Sequence, residues 1–348
     1  MKPISEKLQS ILDRAIDAKK IFGTSFCIEY KGNQWCGASG NLTPESLYFI
    51  ASTTKLYVTA LVLQLQSKGL LSLDDTISKY LDTAILNGLH LFRGKDYSSH
   101  ITIRHLLAHT SGIPDYFQQK DMNGRSFESE IIAGKDQYWT FEQTIERSKS
   151  LKPAYIPGTP GKALYSDTNF QLLGKIIENI TQRSIAENYA TNIFSPLGLT
   201  QTYLYSDIKD SRPQTLYYKS KPLWVPKAMA SFGPDGGIVS TSGELITFLR
   251  AFFQGDLFPV AYIDALKIWN PIFFPMQSGI GIHRFKLPWI FDPLRRMPEM
   301  IGHSGLSGTL AYYSPSKNLY IAGTVNQVAY PSTSFQLAVK LIQSVLKA

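Results

Sequence analysis

Ser52 and Lys55 stand three residues apart in Ser52-Thr53-Thr54-Lys55, at the opening of the apolar run Leu56-Tyr57-Val58-Thr59-Ala60-Leu61. On a helix, positions i and i+3 share a face, so the Ser52 hydroxyl and the Lys55 ammonium can meet. A serine in the first turn also faces free backbone N–H groups and the positive end of the helix dipole, which stabilise an oxyanion formed there. The chemistry this suggests is acyl transfer through a serine ester. Spacing alone is weak evidence, because Ser206-Asp207-Ile208-Lys209, Ser314-Pro315-Ser316-Lys317 and Ser344-Val345-Leu346-Lys347 match it equally well. The second of these falls in a Ser-Pro turn and the third closes a terminal amphipathic helix.

Two further blocks set Ser52 apart. Tyr165-Ser166-Asp167 follows the turn signal Tyr155-Ile156-Pro157-Gly158-Thr159-Pro160-Gly161 and precedes the helical pattern Leu172-Leu173-Gly174-Lys175-Ile176-Ile177. Tyr165 is therefore expected on a loop just before a helix, where its phenol can project into a cleft. Tyr205-Ser206-Asp207 repeats the triplet without that turn and helix. His303-Ser304-Gly305, followed by Leu306-Ser307-Gly308-Thr309-Leu310-Ala311-Tyr312-Tyr313, reads as a strand whose small residues let a substrate backbone approach closely.

The ordered set Ser-x-x-Lys, Tyr-Ser-Asp and His-Ser-Gly resembles the penicillin-recognising serine hydrolases, in the branch that holds class C β-lactamases, D-Ala-D-Ala carboxypeptidases and related esterases. Leu106-Leu107-Ala108-His109-Thr110-Ser111-Gly112-Ile113-Pro114, Pro196-Leu197-Gly198-Leu199-Thr200-Gln201-Thr202 and Gly236-Gly237-Ile238-Val239-Ser240-Thr241 agree with the same branch, and the likeness runs over roughly residues 20 to 345. The resemblance implies Ser52 as nucleophile, Lys55 and Tyr165 as the proton-handling pair, and the backbone N–H groups of Ser52 and Leu306 as oxyanion hole. Asp167, His303, Ser304, Gly305 and Leu306 would line the substrate site, with His109 structural and no metal or cofactor required. The substrate would be a small molecule or short peptide.

Two departures shape the functional reading. Class C β-lactamases usually carry lysine where His303 stands, and a neutral imidazole offers an anionic β-lactam a hydrogen bond rather than a charge. Asp167 stands where many relatives have asparagine; a carboxylate there would pair with Lys55, keep it cationic and leave Tyr165 as the working base. Asp167 could alternatively attract a free substrate amine. The expectation is a D-amino-acid peptidase, of the D-Ala-D-Ala carboxypeptidase kind, or an esterase, with weak or no β-lactamase activity. A true class C-like β-lactamase is the alternative, and a slow penicillin- or cell-wall-fragment-binding protein the alternative of another class.

The elements that must position these residues follow in order. An N-terminal amphipathic helix carries Ile4, Leu8, Ile11, Leu12, Ala15 and Ile16 at helical spacing. A hairpin spans 24–39 around Lys31-Gly32-Asn33, and the nucleophile helix runs from about 52 to 68. A mainly helical, loop-rich middle extends to about 225, then a helix from about 242 to 253, a strand pair around 301–327 and a C-terminal helix from about 333 to 347. The fold class expected is α/β (α+β), an antiparallel sheet flanked by the N- and C-terminal helices with an inserted all-helical lobe. The chain would be one domain over 1–348, its α/β lobe about 1–70 and 225–348 and its helical lobe about 71–224. Residues 117–140 read as an excursion over the cleft between them.

Composition excludes other classes. The net charge is +8, yet the basic residues are scattered in pairs such as Lys19-Lys20 and Arg295-Arg296, which speaks for a solvated surface rather than nucleic-acid binding. The six histidines show no His-Glu-x-x-His spacing, and no Gly-x-Ser-x-Gly elbow is present. No apolar run approaches the ~20 residues of a membrane span. No secretory apolar segment is legible near the N-terminus, so the expectation is a cytoplasmic protein, or one exported by a route the sequence does not display. The hairpin register sets Cys27 opposite Cys36, but without an export signal the two are expected to be buried free thiols.

Overall fold

Alternation along the central strands builds this molecule, a computed structural model that describes residues 3–290, 292 and 296–347. Arg295, named in the sequence reading, lies outside the described residues. Successive side chains of a strand point to opposite faces. In Gly23–Tyr30, Phe26 and Ile28 enter one core and Cys27 another; in Leu319–Thr324, Leu319 and Ile321 oppose Tyr320 and Ala322 in the same way. One face of the sheet is covered by the terminal helices, Ile4–Asp13 and Ser332–Leu346, through Leu8, Leu12, Leu337 and Leu341. The other face is covered by Ser242–Gln254, through Leu245, Phe248, Leu249 and Phe252. With both faces packed, Leu319–Thr324 is buried from end to end.

The sheet has eight antiparallel strands in the order Asn270–Phe273, Met276–Ser278, His283–Phe285, Met300–Ser304, Thr309–Ser314, Leu319–Thr324, Gly23–Tyr30, Asn33–Gly40. The strand pair expected around 301–327 is thus three strands, and three more precede it between 270 and 285. Those three are only three or four residues long, too short for an alternating pattern to stand out.

The first hairpin turns through Lys31 and Gly32, with φ of 52° and 76°, the two left-handed residues a two-residue hairpin turn requires. That turn pairs Tyr30 with Asn33 and carries the register down to Cys27 opposite Cys36. The two cysteines form a disulfide, which overturns the expectation of free thiols. Their Cα atoms, 4.1 Å apart on one face of the pair, leave the sulfurs in contact.

Between residues 71 and 224 the chain is mostly helix and loop, with Phe141–Ser150 and Asp167–Thr181 the longest helices. It also holds the small hairpins Leu91–Phe92 with Lys95–Asp96 and Leu216–Tyr218 with Lys221–Leu223. Tyr203–Leu204 joins Ile238–Ser240 and Tyr48–Phe49 in a three-stranded sheet. That sheet delivers the chain to Ser52: Ile50 N donates to Ile238 O at 3.0 Å just after the strand ends. The helix that follows, Thr54–Ser67, is buried over nearly its whole circumference, so its start is held from all sides. Residues 117–140 include the short helix Phe127–Ile132, and several of them line the cavity described next.

Candidate active site

The turn Ala51–Thr53 precedes the buried helix, and Ala51 sits at φ 46°, a left-handed conformation that an alanine adopts only when its surroundings impose it. Gly305 supplies part of that imposition. A Cβ on Gly305 would stand 2.5 Å from the Ile50 carbonyl oxygen and 3.2 Å from Ser52 N, so only glycine lets the Met300–Ser304 strand end this close to the Ser52 backbone. Ser304, Gly305 and Leu306 consequently line the same cavity as Ser52.

Ser52 Oγ has two close partners. Tyr165 Oη donates to it at 2.6 Å and Lys55 Nζ at 3.2 Å. Tyr165 lies on the loop immediately before the helix Asp167–Thr181, and its ring stacks on His109 with centroids 4.5 Å apart. Lys55, fully buried, also donates to Asp167 Oδ1 at 2.6 Å and to the Asp235 carbonyl oxygen at 2.5 Å. Its three donor positions are therefore all engaged. Burial opposes the Lys55 charge, but Asp167, Tyr165 and Asp235 outweigh it and hold the ammonium above its ordinary range. Burial, reinforced by Asp167, pushes the Tyr165 phenol up against the pull of Lys55. At neutral pH the pair is thus an ammonium and a phenol.

Sequence reasoning missed the supports. Asp115 accepts from the backbone N–H groups of Phe117, Gln118 and Asp167, at 3.1, 3.2 and 3.2 Å, and so ties the 117–140 segment to the helix that carries Asp167. Asp235 accepts from Tyr116 Oη at 2.8 Å and Gln171 Nε2 at 3.0 Å, and burial with Asp167 beside it raises its carboxyl well above the carboxylate range. Asp115 stands in a loop and Asp235 ends the short helical turn Gly233–Asp235, where its only sequence signal is the adjoining Gly236-Gly237 block.

His303 is buried, and its Nδ1 lies 3.0 Å from Ser304 N. Three distant stretches of chain bring it together with His109 and His283, ring nitrogens within 4.8 Å of one another. No local motif could announce this group. His283 and His303 stack face to face at 4.0 Å, whereas an ion bound by both would have to lie near both ring planes, so the contact is ring packing rather than chelation. Burial, with Lys55 nearby, pushes His283 down to about 3. His109 and His303 are held well below their ordinary range by burial, by His283 and by Lys55. All three are neutral imidazoles, so the His303 position offers no charge.

The cavity that opens onto Ser52 measures about 520 Å³. Its apolar lining includes Phe117, Ile131, Leu216, Leu223, Met229 and Phe232, and also Phe273, Phe274, Met276, Phe285 and Phe335. Glu128, Asp167 and Asp235 also reach it, and among the described residues no lysine or arginine lines it. No helix among the described residues is long and apolar enough to cross a membrane.

Comparison with known proteins gives a consistent picture. The Beta-lactamase family model matches residues 8–343. A protein of Escherichia coli O157:H7 named "Putative D-alanyl-D-alanine carboxypeptidase" is 31% identical, over 92% of this chain and 78% of its own length. The crystal structure of a D-stereospecific amidohydrolase from Streptomyces sp. is similar at a TM-score of 0.79 and 26% identity, covering 94% of this chain and 95% of that one. The D-amino acid amidase of Ochrobactrum anthropi SV3 shares the fold at a TM-score of 0.81 and 21% identity, over 99% and 98% of the two chains.

Proposed function

Since the chain belongs to the Beta-lactamase family and is a serine hydrolase, we propose that it cleaves D-amino-acid amides and peptides, and related esters, through an acyl-enzyme on Ser52. The observation that carries this reading is the Ser52 hydroxyl held between Tyr165 at 2.6 Å and Lys55 at 3.2 Å, in a cavity large enough for an aromatic or aliphatic side chain. We read the chain as one domain, with the cleft between the α/β part and the mainly helical part.

As Ser52 Oγ attacks the carbonyl carbon, its proton passes to Tyr165 Oη while the phenol hands its own proton to the leaving amine or alcohol. The C–N or C–O bond breaks and the serine ester remains. Deacylation reverses the relay: water attacks the ester, gives a proton to Tyr165 Oη, and the phenol proton goes to the departing Ser52 Oγ. Tyr165 never has to exist as a free phenolate, in keeping with a phenol whose proton is held more tightly than usual. Lys55 contributes a fixed positive charge beside the oxygens on which negative charge develops, and Asp167 keeps that charge in place. The backbone N–H groups of Ser52 and Leu306 serve the carbonyl oxygen, a role worth ~3–4 kcal/mol per donor in related chemistry.

Neutral His303, together with a cavity lined by no described lysine or arginine, leaves the carboxylate of a β-lactam without a charged partner. Slow β-lactam turnover follows. The test is the intact mass after exposure to a penicillin and to p-nitrophenyl butyrate, with turnover of both recorded beside Ser52→Ala. Ester turnover and any acyl adduct should be confined to the wild type. Equal turnover by Ser52→Ala would sink the assignment.

A further inference from the structure

The acyl-transfer reading leaves one group in the cavity without a role. Asp167 is neutralised by its 2.6 Å ion pair with Lys55. Asp235, 1% exposed, has its carboxyl pushed well above the usual carboxylate range by burial and by Asp167, and its Oδ1 has no hydrogen-bond partner among the described residues. Glu128 is different. It is half-buried on the cavity wall, and its Oε1 accepts from the Gln118 amide at 3.1 Å, a neutral donor rather than a cation.

Glu128 is also held firmly. Its backbone N–H donates to Phe117 O at 3.1 Å. Ser126 and Ser129 close the start of its helix with reciprocal hydrogen bonds at 3.1 and 3.0 Å. Apolar neighbours Phe117 and Ile131 line the cavity beside it. A carboxylate in such walls acts in a low dielectric, where its attraction for a cation exceeds what water would allow. The cavity therefore suits a ligand that is mostly apolar and carries one positive charge.

We propose that Glu128 binds a primary ammonium of the substrate, so that the enzyme prefers amides and esters bearing a free amine to their N-acylated counterparts. This rests on the acyl-transfer reading and specifies its substrate. It also relocates the amine-binding role considered for Asp167, whose carboxylate is already committed to Lys55.

The experiment measures kcat/KM for D-phenylalanine p-nitroanilide, its N-acetyl and N-succinyl derivatives, and Nα-acetyl-D-lysine p-nitroanilide, with wild type, Glu128→Gln and Glu128→Lys. The wild type should favour the free amine over the N-acetyl compound by at least about tenfold, expressed mainly in KM. In Glu128→Gln that ratio should fall toward one, and in Glu128→Lys the N-succinyl compound should gain. Nα-Acetyl-D-lysine p-nitroanilide, whose only ammonium is on the side chain, should be no better than the N-acetyl phenylalanine compound, and a rate matching that of the free amine would overturn the proposal. A wild-type ratio at or below one, or the same ratio in Glu128→Gln, overturns the proposal. Turnover of p-nitrophenyl butyrate by wild type and Ser52→Ala tests the acyl-transfer reading separately, because that ester carries no amine.

Discussion

Lys55 Nζ and Asp167 Oδ1 lie 2.6 Å apart with the lysine wholly buried, and the ion pair compensates a charge that would otherwise stand alone in the interior. A buried ammonium deprived of its carboxylate is an uncompensated charge, a change that costs about 3–5 kcal/mol in comparable pairs. On the proposed mechanism the serine works against a permanent cation, and the proton traffic is left to Tyr165.

Asp167→Asn should therefore weaken the site and change its pH dependence. With the carboxylate gone, burial dominates at Lys55 and its pKa falls. The alkaline limb of kcat/KM should move to lower pH as the ammonium is lost earlier. A pH–rate profile of the variant superimposable on that of the wild type would remove Asp167 from the mechanism.

Tyr165→Phe removes both proton transfers of the relay while leaving the ring that stacks on His109. The expected loss in kcat is about 10²- to 10⁴-fold, with the melting temperature nearly unchanged. Pre-steady-state ester hydrolysis should show that acylation and deacylation slow together. Slowing of only one step would mean that another group serves the second.

Acid should destabilise the fold through its buried imidazoles. The folded protein holds His283 at about 3, and burial lowers His109 and His303 as well. The unfolded chain binds protons at a pKa of ~6.5. Between these values the unfolded state carries more protons, so the stability contributed by neutral burial is complete above ~6.5 and is lost as pH falls. Each such histidine contributes a slope of about 1.4 kcal/mol per pH unit. Melting temperatures measured from roughly pH 7 down to 4 should fall, and His283→Gln should flatten the dependence. A melting temperature indifferent to pH over this range would contradict neutral burial.

The Cys27–Cys36 bridge closes a short loop at the edge of the sheet. Maleimide labelling of the denatured protein should find no thiol before reduction and two after it. Cys27→Ala with Cys36→Ala should cost about 2–3 kcal/mol, read from urea denaturation with the unfolding slope followed alongside. Full labelling without a reductant would show that the pair stands open.

What the sequence disclosed depended on how local each signal was. The SxxK turn, the Lys31-Gly32 hairpin and the helices at 54–67, 242–254 and 332–346 are set by neighbouring residues, and were legible. The strands at 270–285 were not, since three or four residues are too few to display a period and their pairing is decided by partners far along the chain. Glu128, Asp115 and Asp235 looked like ordinary loop or helix-start acids. Their significance comes from which walls meet at Ser52, a property of packing that no spacing encodes. The turn at Lys31-Gly32 makes the facing register of Cys27 and Cys36 legible, whereas their bonding depends on the redox surroundings, which no local pattern displays.

The apolar residues that line the cavity are drawn from different hydrophobic cores. Phe117, Ile131, Leu216, Leu223 and Met229 come from the cluster around Trp139, while Phe285, Met276 and Phe335 come from the one beneath the terminal helices. Lys55 sits on a helix embedded in a third. Selectivity and reactivity are thereby lodged in separable parts. Lineages, or directed-evolution libraries, can retailor either wall in turn and sample new substrates without disturbing the serine, the lysine or the phenol between them.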